Sequence, residues 1–393
     1  MTYADRWLLP DGVEDILPEK AYRVESLRRR LVDLYSRWGY ELVIPPLIEF
    51  TDSLLIGLGR DIDLMTFKMT DQLSGRMMGI RADMTPQIAR IDAHSMKRNG
   101  PSRLCYAGHV LHTKSKSPLA TRSPIQAGVE LYGESGSDAD IEVVSLLLVS
   151  LQECGLKQLN IDLGHVDIYR SLASAAELTE VQERELFDLL QSKAIADINQ
   201  WIDSNISCAD LAPMFKALPS LAGDRQVLIQ ARKALSKAPA AVATALDTLE
   251  IIADAVAMRF PKANLYFDLS ELRGYNYHTG VVFAAFAAGY GEAVANGGRY
   301  DHVGEVFGSA RPATGFVVDI TAIDGLVKGA VKDQGAIFAP ASDDAGQWPV
   351  INRLRTAGEV VVCGFKGQSV ADVNADCDRQ LVCEAGQYQV KSL

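Results

Sequence analysis

The six cysteines, Cys105, Cys154, Cys208, Cys363, Cys377 and Cys383, show no C-x-x-C spacing. That excludes a disulfide framework or a zinc site as the organising element and leaves them expected as small buried hydrophobes. Apolar runs approaching the ~20 residues needed to span a bilayer are also missing. The N-terminus, Met1 to Trp7, has no basic stretch leading into an apolar segment, so a cytoplasmic protein without a membrane partner is expected. Positive charge is in deficit, with 39 Lys and Arg against 50 Asp and Glu for a net charge of -11, which gives no global basic footprint for a nucleic-acid partner. No internal repeat appears. What remains is a 393-residue chain, 48% hydrophobic and 23% charged, with the balance of a globular protein of two or three packed units.

Val24, Leu27, Leu31, Leu34, Tyr35 and Trp38 recur at steps of three or four, so residues 18 to 38 are predicted to form an amphipathic helix stopped by Gly39. Arg28, Arg29 and Arg30 sit beside that stripe and read as a solvated face. Leu42 to Ile44 reads as a strand ended by Pro45 and Pro46, and residues 64 to 81 as a hairpin. A helix is expected from Thr85, with Pro86 in its first turn. Strands are expected at 103 to 111 and 125 to 132, then a long apolar helix from Ala139 to Glu153 capped by Asp138. From His165 to about Pro261 the composition turns to Ala, Leu, Glu, Asp and Gln at helical spacing. Strand-like sequence returns at 264 to 268, 280 to 285, 291 to 297 and 314 to 318. The pattern predicts an α+β fold: a core from 1–164 and 262–326, a helical insertion at 165–261, and a small C-terminal α/β region at 327–393.

Polar residues embedded in strand-like sequence are costly unless satisfied or used. Three segments have them: Arg81 to Thr85, Gln126 to Glu130 and Arg273 to Thr279. Asp83 and Glu130 suit an ammonium, Gln126 a ring nitrogen and Arg273 a carboxylate, which together would suit an amino acid. Local spacing also fits a structural ion pair of Arg81 with Asp83 and a solvated face carrying Gln126 and Glu130. His109 and His112, three apart, lack the further ligands of a metal site.

The ordered set of segments from about residue 8 to residue 320 resembles class II histidyl-tRNA synthetases. The resemblance begins at Leu9-Pro10-Asp11-Gly12-Val13 and runs through Gly39-Tyr40 to Pro46, similar to the dimer-forming first motif of that class. It continues through Arg81-Ala82-Asp83-Met84-Thr85, where the synthetases usually carry glutamate at the third position. Next come Arg103 to Gly108, Arg122, Gln126 and Glu130, then Leu272 to Gly280 and Gly297-Gly298-Arg299-Tyr300-Asp301. The resemblance implies a class II synthetase-like antiparallel sheet flanked by helices. It also implies histidine-binding roles for Asp83, Thr85, Gln126, Glu130, Arg273 and Tyr277, and for His278 in place of a second tyrosine.

The ATP side departs from the synthetase pattern. Leu111-His112-Thr113-Lys114 stands where synthetases read Phe-Arg-His-Glu, and Asp319-Ile320-Thr321-Ala322 where they end Gly-Leu-Glu-Arg. Adenylation develops charge on a pentavalent phosphorus, and losing one preorganised charge-stabilising group typically costs about 10²- to 10³-fold. Both arginines are absent, and Asp319 adds negative charge. The combination resembles the regulatory-subunit family of ATP phosphoribosyltransferase, paralogues of the synthetases. That resemblance implies a noncatalytic subunit without cofactor or metal. It would act with a short-form catalytic subunit in the first step of histidine biosynthesis, support that subunit's activity and confer feedback inhibition by histidine, as a homodimeric core within a hetero-octamer. The alternatives are a histidyl-tRNA synthetase-like enzyme and a free-standing histidine sensor.

Overall fold

The computed structural model describes residues 7–55, 60–115, 117, 120–272, 274–275, 277–308, 310–327, 335–373 and 375–393. The chain forms two compact units, Met1–Val327 and Lys328–Leu393.

The larger unit opens with α1 (Pro18–Arg37), which buries Val24, Leu27, Leu31, Leu34 and Tyr35 along one stripe. Pro18 suits its first turn, and Gly39 follows it with φ +83°. Next come β1 (Glu41–Leu42), β2 (Ile48–Phe50), the short helices α2 (Thr51–Leu54) and α3 (Arg60–Met65), β3 (Phe67–Thr70) and β4 (Met77–Ile80). β4 pairs with both β2 and β3, so the expected hairpin is part of a three-stranded sheet. α4 (Thr85–Arg90) runs on into a π-helical stretch, Ile91–Met96.

β5 (Ser102–His109), β6 (Ile125–Tyr132), α5 (Ser137–Glu153) and β7 (Leu159–His165) precede a run of helices: α6 (Val166–Ala175), α7 (Glu180–Ser192), α8 (Ile195–Asn205), α9 (Leu211–Ala217), α10 (Gln226–Ala234) and α11 (Ala240–Arg259). The two-residue β8 (Ala222–Gly223) interrupts that run. β9 (Asn264–Asp268), β10 (Val281–Ala287), β11 (Ala293–Arg299), β12 (Ala313–Asp319) and α12 (Ile320–Leu326) close the unit. Among the described residues the main sheet has the order β1-β5-β6-β12-β11-β10-β7-β9-β8, antiparallel except for β1 with β5 and β7 with β9.

Strand alternation decides what each face of this sheet does. Ala127, Val129, Leu131, Phe316, Val318, Ala295, Phe283, Ala285, Ile161 and Leu163 share one face and join a continuous core with α1, α5, α11 and α12. Tyr35 of α1 meets Phe316 edge-on at 6.0 Å between ring centres. Each fully buried aliphatic side chain there contributes ~1.5–3 kcal/mol. The opposite face is free to be carved into a site.

The smaller unit is a four-stranded sheet, β14-β13-β15-β16, built from β13 (Ala336–Ala339), β14 (Val361–Cys363), β15 (Cys377–Glu384) and β16 (Gln387–Ser392). It is packed with α13 (Gln347–Thr356) around Ile337, Ile351, Val361 and Leu381.

Several local expectations are corrected. Asp138 is not the cap of α5: the helix starts at Ser137, and extended Gly136 precedes it without a side-chain cap. The Leu42 to Ile44 strand shrinks to β1, because Pro45 and Pro46 follow and only Glu41 and Leu42 pair with β5. β7 and the β15–β16 hairpin have no counterpart among the expected elements. Of the cysteines, only Cys105 and Cys154 are buried, while Cys208, Cys363 and Cys383 are exposed. Among the described residues, no helix is long and apolar enough to cross a membrane.

Candidate functional site

On the face away from α1 and α5, the strand register lines up Leu104, Glu130, Gly315, Gly298, Val282 and Gly164 across β5, β6, β12, β11, β10 and β7. Glycines make the space. A Cβ at Gly315 would fall on Glu130 Oε2, and one at Gly298 would press on the His278 ring. The result is a cavity of about 560 Å³. Asp83, Thr85, Gln126, Glu130, Tyr277 and His278 all line it. Arg273 lies outside the described residues.

Glu130 is the centre of the hydrogen bonding. It is 1% exposed. Its Oε1 accepts from the Thr85 hydroxyl at 3.0 Å and from the Tyr106 hydroxyl at 3.0 Å, and its Oε2 accepts from the Tyr300 hydroxyl. The Tyr300 hydroxyl also lies 3.3 Å from that of Tyr132. Burial pushes the Glu130 carboxyl up from the ordinary 4.5 to about 8; nearby Asp83 adds to the rise, and the three hydroxyls oppose it without cancelling it. Asp83 is set by local geometry, its Oδ1 accepting the backbone N–H of Thr85 at 2.8 Å at the start of α4.

Tyr277 and His278 pack ring on ring, 4.1 Å between centres, and Tyr277 lies 6.2 Å from Tyr300. His278 Nδ1 is 3.1 Å from the Arg299 carbonyl, and burial lowers that imidazole to about 4, so it carries no charge near neutrality. The turn bearing both rings is held from behind. Arg170 of α6 donates to the carbonyls of Tyr275 at 3.1 Å and His278 at 3.0 Å, with its guanidinium 4.9 Å from the Tyr275 ring centre. The Tyr275 hydroxyl donates to Glu183 of α7, and its ring meets Tyr169 and Phe187 at 5.4 and 5.7 Å.

The charge balance of the cavity is one-sided. Asp83, Glu130, Asp162, Glu271, Glu292 and Asp319 line it, and no lysine or arginine does among the described lining residues. Basic residues nearby are committed to backbone. Arg81 donates to the carbonyls of His109 at 2.7 Å and Pro45 at 2.9 Å, so it is not the ion-pair partner of Asp83. Arg122 donates to those of His112 and Asp11, each at 3.0 Å. Buried His112 sets its Nε2 3.0 Å from the Ala82 carbonyl, and Lys114 is exposed. Asp319 caps α12, its Oδ1 accepting from the Ala322 N–H at 3.0 Å. Acidic groups in this lining disfavour a polyphosphate and suit an ammonium. Among the described residues, no group of three or more His, Cys, Asp and Glu is placed to hold a metal ion.

Sequence reasoning assigned no site role to Tyr132, and it named Tyr106 and Tyr300 only as parts of motifs. Their signal was available: Tyr132 shares Glu130's face by alternation, and Gly128 lies opposite Tyr106, whose ring occupies the space a Cβ would need.

Comparison with known proteins follows the same division. Residues 12–323 match the family model of histidyl-tRNA synthetase. Residues 334–391 match that of the ATP phosphoribosyltransferase subunit HisZ C-terminal domain. The chain is 59% identical to the ATP phosphoribosyltransferase regulatory subunit of Cellvibrio japonicus, over 100% of this chain and 98% of that protein. It is 54% identical to the protein of that name from Saccharophagus degradans, over 99% of each. Among solved structures it is similar to an ATP phosphoribosyltransferase regulatory subunit/histidyl-tRNA synthetase from Bacillus halodurans, with TM-score 0.81, 26% identity and 94% of each chain covered. The histidyl-tRNA synthetase of Nostoc sp. shares the fold at 15% identity, with TM-score 0.79 over 98% of this chain and 97% of that one.

Proposed function

The chain belongs to the ATP phosphoribosyltransferase regulatory subunit family, and from that premise we propose that it is a noncatalytic subunit whose synthetase-like pocket binds free histidine and reports it to a catalytic partner. The observation that carries this reading is the cavity around buried Glu130, which Asp83, Thr85, Gln126, Tyr277 and His278 line together with it. The histidine ammonium is assigned to Asp83 and Glu130. Gln126 and Tyr277 are assigned to the remaining polar groups of the ligand, His278 to the wall behind Tyr277, and Arg273, by its place in the motif, to the ligand carboxylate.

The partner is a short-form ATP phosphoribosyltransferase catalytic subunit, and the consequence of binding is feedback inhibition of the first step of histidine biosynthesis. A homodimer of this chain forms the core of a hetero-octamer in the cytoplasm. The report requires that histidine bind two states of the assembly with different affinity, a coupling of ~1–3 kcal/mol or about 5- to 150-fold. The turn carrying Tyr277 is pinned to α6 and α7 through Tyr275, Arg170 and Glu183, so ordering that turn around a ligand transmits to those helices.

Reconstitution with the catalytic subunit tests the proposal. Phosphoribosyl transfer should rise on adding this chain and fall on adding histidine. No effect of the chain on either quantity overturns it. Histidine-dependent pyrophosphate exchange by the chain alone would instead support a synthetase-like enzyme, a reading disfavoured by the carboxyls where triphosphate would lie.

A further inference from the structure

Glu130 stands at one end of a chain of phenols that leads away from the pocket. Alternation along β6 puts Tyr132 on the same face as Glu130, and strand pairing sets it opposite Ala313 of β12. The Ala313 carbonyl accepts the Tyr300 N–H at 2.7 Å, so the same register brings the two tyrosine rings together, edge to face at 6.3 Å between centres. Tyr132 is 4% exposed and Tyr300 3%. Both belong to an apolar cluster with Met84, Ile88, Leu104, Tyr106 and Val110, surroundings in which hydrogen bonds are strong.

Proton count gives the chain its direction. The Tyr300 hydroxyl carries one proton and meets two oxygens, Glu130 Oε2 and the Tyr132 hydroxyl at 3.3 Å. An ionised carboxylate can only accept, so Tyr300 donates to it and the proton between the two phenols comes from Tyr132. This is the only hydrogen bond of the Tyr132 hydroxyl among the described residues. A donor that is itself a hydrogen-bond acceptor is polarised, and a charged carboxylate gains more from it than a neutral acid does. The other groups acting on Glu130 are Asp83, Thr85, Tyr106 and Tyr277, with Tyr40 on the far side of the sheet. Those acting on Tyr132 are Glu130 and the Asp92–Arg311 pair, closed at 2.7 Å.

We propose that Tyr132 is a positioning residue of the pocket: by donating to the Tyr300 oxygen it commits the Tyr300 proton to Glu130 and favours the charged carboxylate that an incoming ammonium needs. Tyr132 does not line the cavity, so it acts through Tyr300 alone. The consequence for ligand affinity rests on the reading of the cavity as a histidine pocket; the effect on Glu130 does not.

The test is a pH titration of full-length, ligand-free protein labelled with carboxyl-¹³C glutamate, in which the Glu130 resonance is the one missing from Glu130→Gln. Tyr132→Phe keeps the ring and deletes the hydroxyl. Its Glu130 midpoint should rise above the parent's, which lies near 8, by roughly half a pH unit. Tyr40→Phe deletes an equally buried hydroxyl that donates to Glu142 at 3.0 Å, and should leave the midpoint in place. In a Tyr300→Phe background, where the chain is already cut, Tyr132→Phe should add no further shift. An unmoved midpoint in Tyr132→Phe, an equal rise in Tyr40→Phe, or a full additional rise in the Tyr300→Phe background would each overturn the proposal. Calorimetry of the same variant should show histidine affinity about threefold weaker at pH 6.5, with the difference closing towards pH 9 as both carboxyls ionise. A shifted midpoint with unchanged histidine affinity would support the role of Tyr132 and overturn the histidine pocket instead.

Discussion

Glu130→Gln keeps the size of the side chain, removes its charge, and bears on both the stability of the fold and its ligand. In the folded protein the carboxyl is pushed up to about 8, whereas the ordinary value is 4.5. Between those values the native state holds a proton that the unfolded chain releases. Native stability therefore falls by ~1.4 kcal/mol for each pH unit from about 4.5 to about 8, then levels off. Across that window the loss reaches about 5 kcal/mol, a ceiling that water entering the cavity reduces. Gln at this position does not titrate, and the hydroxyls of Thr85, Tyr106 and Tyr300 can rotate to serve it. Urea midpoints of both proteins at pH 5.5, 6.5, 7.5 and 8.5 should diverge up to about pH 8 and no further above it, with the variant gaining relative to the parent as pH rises. The difference isolates Glu130 from every other titrating group. Histidine binding should show the complementary signature. At pH 7 the parent should release close to one proton as the ammonium arrives, read by calorimetry in buffers of different ionisation enthalpy, and the variant none. Loss of one charge-assisted hydrogen bond, about 1.5–3 kcal/mol, should weaken histidine by roughly 10- to 150-fold. Parallel urea profiles with unchanged proton release would refute the assignment of Glu130 as the buried carboxyl that meets the ligand.

Gly315→Ala should abolish histidine binding in calorimetry and lower stability by about 1–3 kcal/mol in urea, because its Cβ falls on Glu130 Oε2. Arg299→Met removes the partner of Asp140, which is 2% exposed, and should cost about 3–5 kcal/mol in thermal or urea unfolding. Tyr275→Phe deletes the hydroxyl that reaches Glu183 while leaving the ring packing. Histidine affinity of the isolated chain should change less than about threefold, whereas inhibition of the reconstituted enzyme should weaken. Equal loss of both would show that Tyr275 serves the pocket alone.

The polar half of the pocket was legible because Asp83, Gln126 and Glu130 are unusual for where they sit: polar residues in strand-like sequence need a reason. The hydroxyls that hold Glu130 were not. They come from residues 45, 24 and 170 positions away, so their convergence is a product of strand pairing. The start of α5 illustrates a different failure. Asp138 has good capping chemistry, yet the chain ahead of the helix is held by Arg299 through the Glu134 and Gly136 carbonyls, and the first turn begins at Ser137. A contact 163 residues away in sequence outweighed a local preference.

The sequence by itself determined the kind of protein this is. The amphipathic stripe of α1, the strand segments on both sides of the helical stretch, and the ordered motifs around Asp83, Glu130 and Tyr277 define the fold, while His112, Lys114, Asp319 and Ala322 mark the departure from the synthetase sequence pattern. These are properties of residue type and local order, which one dimension preserves. Only the tertiary structure decided that Glu130 is a buried carboxyl held near pH 8, that glycines on β11 and β12 hollow out its cavity, and that α6 and α7 grip the turn beside it. Each depends on desolvation or on register between distant strands, quantities that arise only when the chain closes on itself.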